Sequence, residues 1–434
     1  MGCESIIRKW LEDHWLRFLH LRSRLRSRRM FAFAPMPTGI SNNKDLDSEV
    51  VAVTLRPAST PMPSIGLATR PRGTFALPHL GCLANQVHLK DSWCLSKAAK
   101  PNCQSGSRRM KAVLCKTFGP AGCLVLEDIP PVELGPGQVA VAVKACGINF
   151  PDTLIIQGKY QFKPELPFAP GGEVAGVVTR VGPGEKGWQP GDEVIVFTTW
   201  GGLAQEMAVD GNRLIRKPSS MGFVEAAGFS MTYGTALYAL EDRGALRQGE
   251  TLLVLGAAGG IGVAGLQIGK ALGARVIAGV STPEKADFCR ALGVDETIDY
   301  TAPGMKDRLK EMTDGKGVNV ILDPVGGPYT ESALRGIAWD GRLLVVGFAA
   351  GDIPKIPTNL TLLKNCAVIG VFWGAFLMRP SPQRDRHLER LVELHQSGAV
   401  KPQISAVYPL EQAPRAIQEL ADRRATGKVV VEVR

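Results

Sequence analysis

The residues with the clearest chemical capacity are the glycines Gly256, Gly259, Gly260 and Gly262, which break an otherwise apolar stretch, Thr251 to Ala274 (TLLVLGAAGGIGVAGLQIGKALGA). Glycine lets the backbone come close to an anion, and the N-terminus of a following helix offers free N–H groups and a partial positive charge. Gly256, Ala257, Gly259, Gly260, Ile261 and Gly262 therefore form a candidate cradle for a dinucleotide pyrophosphate. The elements needed to position such a cradle are present in the right order. The run Leu252–Leu255 reads as a buried parallel strand, and the spacing of Val263, Leu266, Ile268 and Leu272 predicts a helix over 261–272.

An uncharged run from Thr251 to Gly269 is also long enough to be weighed as a membrane span. The glycines cluster at one turn instead of scattering along a helix, and Lys270 and Arg275 close the run without an aromatic belt. A soluble strand–turn–helix unit is the reading, with no membrane span.

The next strand decides which dinucleotide fits. A site for the unphosphorylated cofactor places Asp or Glu about twenty residues past the glycines, to bind the ribose hydroxyls. Here that point reads Ala278-Gly279-Val280-Ser281, with Lys285 within helical reach and Asp299-Tyr300 ending the third strand. Ser281, Lys285 and Tyr300 suit a 2′-phosphate, so NADPH is the expected cofactor; the plain alternative is that Lys285 is a solvated helix residue.

Charge is unevenly distributed. Residues 1–109 hold 17 Lys+Arg against 7 Asp+Glu, whereas residues 110–434 hold 34 of each, so the whole surplus of +10 lies in the N-terminal extension. The neutral remainder has no basic patch interleaved with aromatics, which argues against nucleic acid as a primary partner. Nine cysteines, odd in number and without a CxxC pair, fit free thiols in a reducing compartment. Residues 1–30 combine Trp10, Trp15, Phe18 and Leu19 with Arg17, Arg22, Arg24, Arg26, Arg28 and Arg29, similar to a mitochondrial presequence, although Glu4, Glu12 and Asp13 weaken the match. Residues 31–109 lack periodicity and read as a disordered linker. A targeting segment, a disordered tail and an over-extended gene start at Met110 remain open, and with them a mitochondrial or a cytoplasmic location.

Past Met110, two patterns follow each other. Short runs at Lys111–Cys115, Gln138–Cys146, Gly172–Arg180, Glu193–Phe197 and Ala204–Val209, punctuated by Gly135-Pro136-Gly137 and Pro190-Gly191-Asp192, suggest a small barrel-like β domain. From Met231 strands and helices alternate, with strands expected at Arg275–Val280, Val318–Asp323, Arg342–Phe348 and Ala367–Trp373. That alternation means a doubly wound parallel sheet. The apolar run Lys428–Val433 is expected to return to the β domain, and His387 and His395 sit on a polar C-terminal helix where solvation is expected.

Several further segments carry a specific resemblance: Ile148-Asn149-Phe150-Pro151-Asp152, Pro170-Gly171-Gly172-Glu173-Val174-Ala175-Gly176, Thr232-Tyr233-Gly234-Thr235-Ala236, Asp323-Pro324-Val325-Gly326-Gly327 and Asn359-Leu360 through Lys364-Asn365. Together with the glycine turn they span 110–434, and the chain resembles the zinc-free quinone oxidoreductase branch of the medium-chain dehydrogenase/reductase superfamily. Within that branch it looks most like the quinone oxidoreductase-like proteins of the second type. The resemblance implies an α/β protein: a Rossmann domain over 231–370 that binds NADPH, and a GroES-like β-barrel catalytic domain over 110–230 and 371–434. It also implies a homodimer through the edge strand near Ala367–Trp373.

Zinc members of the superfamily hold catalytic metal with a Cys, a His and a second Cys. The first two positions are Asn149 and Gly172 here, and no cysteine lies between Cys146 and Cys289. Zinc needs three or four close ligands, so no metal is expected. Without a Lewis acid, hydride transfer favours an acceptor whose developing oxyanion is delocalised, a quinone or an α,β-unsaturated carbonyl. By resemblance, Tyr160 is a candidate proton donor, with Asn149 and Asp152 lining the cleft as catalytic residues. Thr232, the backbone of Gly347-Phe348-Ala349, and Phe372-Trp373 would contact the nicotinamide end. Tyr160 as a loop anchor and the aromatics as core residues are the structural alternatives. An enoyl-thioester reductase and an NADPH-binding protein with little turnover are the other functional readings.

Overall fold

The computed structural model describes residues 109–434; the readings of the N-terminal extension lie outside the described residues. The apolar runs assemble into a six-stranded parallel sheet in the order Glu296–Asp299, Arg275–Val280, Thr251–Val254, Val318–Asp323, Ile337–Val345, Ala367–Gly370. Leu252, Leu253, Val254, Ile321 and Leu322 are fully buried, as expected of strands covered on both faces by crossover helices. Those helices include Gly260–Ala271, Pro283–Ala291, Met305–Met312 and Pro328–Arg335. Thr282 starts the second by accepting from Lys285 N at 3.3 Å, with Pro283 in the first turn. The strand order reverses direction between Thr251–Val254 and Val318–Asp323, so the glycine turn opens onto the crevice where ligands bind in such sheets.

Two strand ends differ from the sequence reading. The run expected at Arg342–Phe348 begins at Ile337 and stops at Val345. Gly347 and Ala349 leave the sheet because their N–H groups turn to the carbonyls of Asp323 (3.3 Å) and Pro324 (3.1 Å). The edge strand ends at Gly370, and Trp373 instead opens a short helix, Trp373–Leu377, that draws its indole inward against Phe197.

The second sheet is the β domain. Its path runs Ile404–Pro409, Lys428–Glu432, Gln138–Ile148, Glu173–Val181, Glu193–Phe197, Leu214–Arg216, while Glu206–Asp210 pairs with the first half of Gln138–Ile148. The long strand thus has different partners on one edge along its length, Glu206–Asp210 and then Lys428–Glu432, which curls the sheet toward a barrel. The strand Ile404–Pro409, parallel to the closing strand, was not foreseen.

The helix Pro382–Gln396 packs against Ser230–Leu237 and buries Leu391 and Leu394. Its histidines are not solvated as expected. The His387 side chain is 1% exposed, with Nδ1 3.0 Å from Asp242 Oδ2. Its Nε2 accepts from Trp373 Nε1 at 3.0 Å. His395 is also covered, 3.3 Å from Glu225 Oε1 and edge-on to Phe229. A helix that reads as polar is here covered on the side facing 225–243, where both ring nitrogens of His387 and the Nε2 of His395 have partners.

Candidate functional site

The glycine turn is built by steric necessity at some positions and left open at others. Gly256 has φ +61, and a Cβ there would meet Val325 Cγ2 at 2.8 Å. A Cβ at Gly262 would lie 2.2 Å from Gly256 O and 2.6 Å from Ala257 Cα. Gly259 is different: φ is −82 and the nearest atom to a Cβ would be Gly256 O at 3.4 Å. Ala257 N donates to Gly279 O (2.9 Å) and Gly259 N to Gly256 O (2.9 Å), which ties the turn to the neighbouring strand. The twelve-residue helix starts at Gly260, so Gly260, Ile261 and Gly262 present first-turn N–H groups. A turn of this shape, bare of side chains and facing a helix start, fits a pyrophosphate.

Beyond the second strand the structure brings together Ser281, Lys285, Tyr300 and a residue absent from the sequence reading, Arg423. Lys285 Nζ donates to Arg423 O at 3.0 Å. Arg423 reaches back across the crevice to Ala350 O at 3.0 Å. Burial pushes the Tyr300 phenol above its ordinary value, while Ser281 and Arg423 oppose that rise, and the ring packs on Tyr329 with centroids 4.7 Å apart. Hydroxyls and two cations gathered past the second strand suit a phosphate.

Between the two sheets lies a buried polar network. Lys428 Nζ donates to Ile148 O (3.1 Å), Asn149 Oδ1 (2.8 Å) and Glu173 Oε2 (2.9 Å). Both charged side chains are out of water, at 3% and 0% exposure. Glu173 Oε1 accepts from Ser230 Oγ (3.1 Å) and Met231 N (2.7 Å). Asn149 Nδ2 donates to Glu173 Oε2 (2.9 Å) and Gly147 O (3.2 Å). The Asn149 amide is therefore fully engaged in holding its neighbours.

Asp152 lies in the first turn of the helix Phe150–Ile155, which Asn149 caps. Its carboxylate accepts from Asn149 N (2.8 Å) and Gly171 N (3.1 Å), clasping the two loops that border the β domain. Burial raises its pKa to about 6, against those N–H bonds and the Lys428 charge, which lower it. Cys146, also buried, has its thiol pushed well up by burial first and by Asp152 and Glu173 next, so it is an inert packing residue.

The remaining expected residues fall into four situations. Tyr160 is half-buried beside Phe162, its phenol raised by burial and then by the Asp152 charge. Thr232 donates to Gly228 O at 3.2 Å, and its methyl lies where a Cβ on Gly260 would meet it at 3.0 Å. Gly347 and Ala349 have their N–H groups committed to Asp323 and Pro324, leaving carbonyls for any ligand. Phe372 is half-exposed, whereas Trp373 is buried on His387 and over Gly234, 2.3 Å from a Cβ added there. The two aromatics are thus separated, one outside and one in the core.

Sequence reasoning missed Lys428, Glu173, Ser230 and Arg423. Signals existed for two: a lysine opening the apolar strand KVVVE, and a glutamate after two glycines opening EVAGVV. Charges at the ends of buried strands call for partners.

Comparison with known proteins agrees with this architecture. Residues 135–236 match the alcohol dehydrogenase GroES-like domain, and 260–391 match the zinc-binding dehydrogenase family. The chain is 41% identical over 334 residues to a quinone oxidoreductase-like protein 2 homolog of Nematostella vectensis, covering 76% of this chain and 91% of that one. It is 36% identical over 332 residues to quinone oxidoreductase-like protein 2 of Bos taurus, covering 76% and 95%. Among solved structures, Escherichia coli quinone oxidoreductase complexed with NADPH matches with a TM-score of 0.68 at 28% identity, covering 75% of this chain and 99% of that one.

Proposed function

This chain belongs to the quinone oxidoreductase branch of the medium-chain dehydrogenase/reductase superfamily, and from that premise we propose that it is an NADPH-dependent, zinc-independent reductase of a quinone or an α,β-unsaturated carbonyl. Residues 231–370 hold the cofactor in this reading; 110–230 with 371–434 form the acceptor pocket. The observation that carries the cofactor half is the crevice itself, a bare glycine turn followed by Ser281, Lys285, Tyr300 and Arg423. Solved E. coli quinone oxidoreductase carries NADPH, which supports the same cofactor here. Zinc independence is supported by residue chemistry: Asn149 and Gly172 stand at two ligand positions, and Asn149 and Glu173 are already committed to the ammonium of Lys428.

Bound NADPH would supply the hydride. The chain's own part is to exclude water, hold the acceptor and deliver the balancing proton. Tyr160 is the candidate donor: burial and the negative Asp152 keep its phenol protonated at neutral pH, ready to give its proton to the reduced acceptor. Dimerisation through the open edge at Ala367–Gly370 belongs to the same reading. That edge and its flanks expose Leu362, Leu363, Val368 and Phe372, and light scattering tests it. A mitochondrial address in residues 1–30 is tested by fusing 1–109 to a fluorescent reporter.

The deciding experiment is NADPH and NADH oxidation by the full chain across quinones, enones and enoyl thioesters. Turnover of the first two classes with NADPH preferred is expected. Activity confined to enoyl thioesters, or NADPH binding without turnover, would replace the reading. Tyr160→Phe is expected to slow enone reduction by about an order of magnitude or more, the scale of a general acid; unchanged turnover makes Tyr160 a loop anchor.

A further inference from the structure

We infer that Lys428 is a positioning residue: its buried ion pair with Glu173 pins the glycine turn of one sheet to the acceptor-side loops of the other. The inference rests on the cofactor reading of that turn. Physical continuity is the first observation. The residue before Lys428, Gly427, donates its N–H to Ala258 O at 2.7 Å, and Gly427 bridges Gly259 in parallel register. Gly427 needs its φ of +76, and a Cβ there would strike Gln403 O at 2.3 Å. The Lys428 stem then passes Gly260, where an added Cβ would sit 3.2 Å from Lys428 Cδ. Its ammonium ends in the β domain, on Ile148 O, Asn149 Oδ1 and Glu173 Oε2.

Glu173 extends the pin on its far side. Its second oxygen holds Ser230 Oγ and Met231 N, the start of the helix that carries Thr232, and the Thr232 methyl faces Gly260. One ammonium and one carboxylate thus fix the glycine turn, the Ser230 helix and the Asn149 loop relative to each other. Stability alone does not require this arrangement, because a well-packed apolar pair holds a core as well as a buried ion pair does. What an apolar pair lacks is direction. Three donors on Lys428, each with its own acceptor, and both Glu173 oxygens engaged allow one arrangement of these segments.

The test compares wild type with Lys428→Met and with Lys428→Met/Glu173→Gln, which removes both charges of the pair together. Two readouts apply: hydrogen exchange of the ligand-free chain over the glycine turn, and NADPH affinity by fluorescence titration. The double variant is expected to melt within a few degrees of wild type. Its glycine turn is expected to exchange about tenfold faster and NADPH to bind about tenfold more weakly, the scale of coupling between sites. A double variant with wild-type exchange at the turn and wild-type affinity overturns the inference. In wild type alone, the turn and the strand Lys428–Glu432 are expected to open together, with one denaturant dependence; independent opening overturns it without any variant. If wild type fails to bind NADPH the cofactor reading falls, while the exchange data still judge the pin.

Discussion

Adding one methyl group at Gly262 and, separately, at Gly259 separates two reasons for glycine within a single turn. At Gly262 the new Cβ would lie 2.2 Å from Gly256 O, 0.8 Å inside the 3.0 Å that real Cβ contacts respect, and 2.6 Å from Ala257 Cα. The atoms in the way are backbone, so the turn must move. Overpacking of this kind costs about 1–3 kcal/mol, and at about 2–4 °C per kcal/mol Gly262→Ala is expected to melt roughly 2–12 °C below wild type without any ligand. At Gly259 the backbone is ordinary and the nearest atom is 3.4 Å away. Gly259→Ala is expected to melt at or slightly above the wild-type temperature, because alanine narrows the unfolded ensemble. The cost at Gly259 falls on the ligand: a methyl on the face meant for phosphate is expected to weaken NADPH about tenfold, or about 1.4 kcal/mol. Calorimetry and fluorescence titration read the two effects. Unchanged melting of Gly262→Ala, or wild-type NADPH affinity in Gly259→Ala, would refute the reasoning.

Three other perturbations follow from the site. Lys285→Met and Arg423→Ala are each expected to raise the NADPH dissociation constant about tenfold, the worth of a charge-assisted bond, while leaving NADH nearly unchanged; equal losses for both cofactors would remove the 2′-phosphate role. Asp152 keeps its proton to about pH 6 when folded, against 3.8 for an ordinary aspartate. The folded state therefore binds more protons in that window, and stability falls as pH rises from about 4 to about 6. Measured as the difference between wild type and Asp152→Asn in denaturant, the fall should be on the order of 3 kcal/mol; a flat difference contradicts it. Trp373→Phe deletes the donor to His387 Nε2 and is expected to cost about 1–3 kcal/mol in urea; a neutral result would mean that the histidine finds another partner.

Periodicity made the parallel sheet legible because its strands are short apolar runs, and one of its helices starts with a hydroxyl cap, Thr282. The glycine turn was legible for the same local reason. What stayed hidden depends on contacts between distant segments. Lys428 reads as an ordinary lysine until its strand is paired with Gln138–Ile148, which brings Glu173 and Asn149 to it. Arg423 joins Lys285 and Tyr300 only once the chain has returned across the crevice. The polarity of Pro382–Gln396 suggested solvated histidines, because sequence cannot show that Asp242 and Trp373 wait on the covered side. For Asn149, resemblance alone pointed to the residue, and only the geometry reveals an amide with no donor to spare.

The closing strand also sets an order of events during synthesis. Lys428 meets Ile148 across a separation of 280 residues, whereas the six-stranded sheet is made from one continuous stretch, 251–370. A nascent chain can therefore complete its parallel sheet while the β domain still presents the unpaired end of its long strand, Ala145–Ile148. Such an edge is a template for wrong pairing. Non-local closure of this kind is slow, so Ala145–Ile148 gains its partner last, when the closing strand docks.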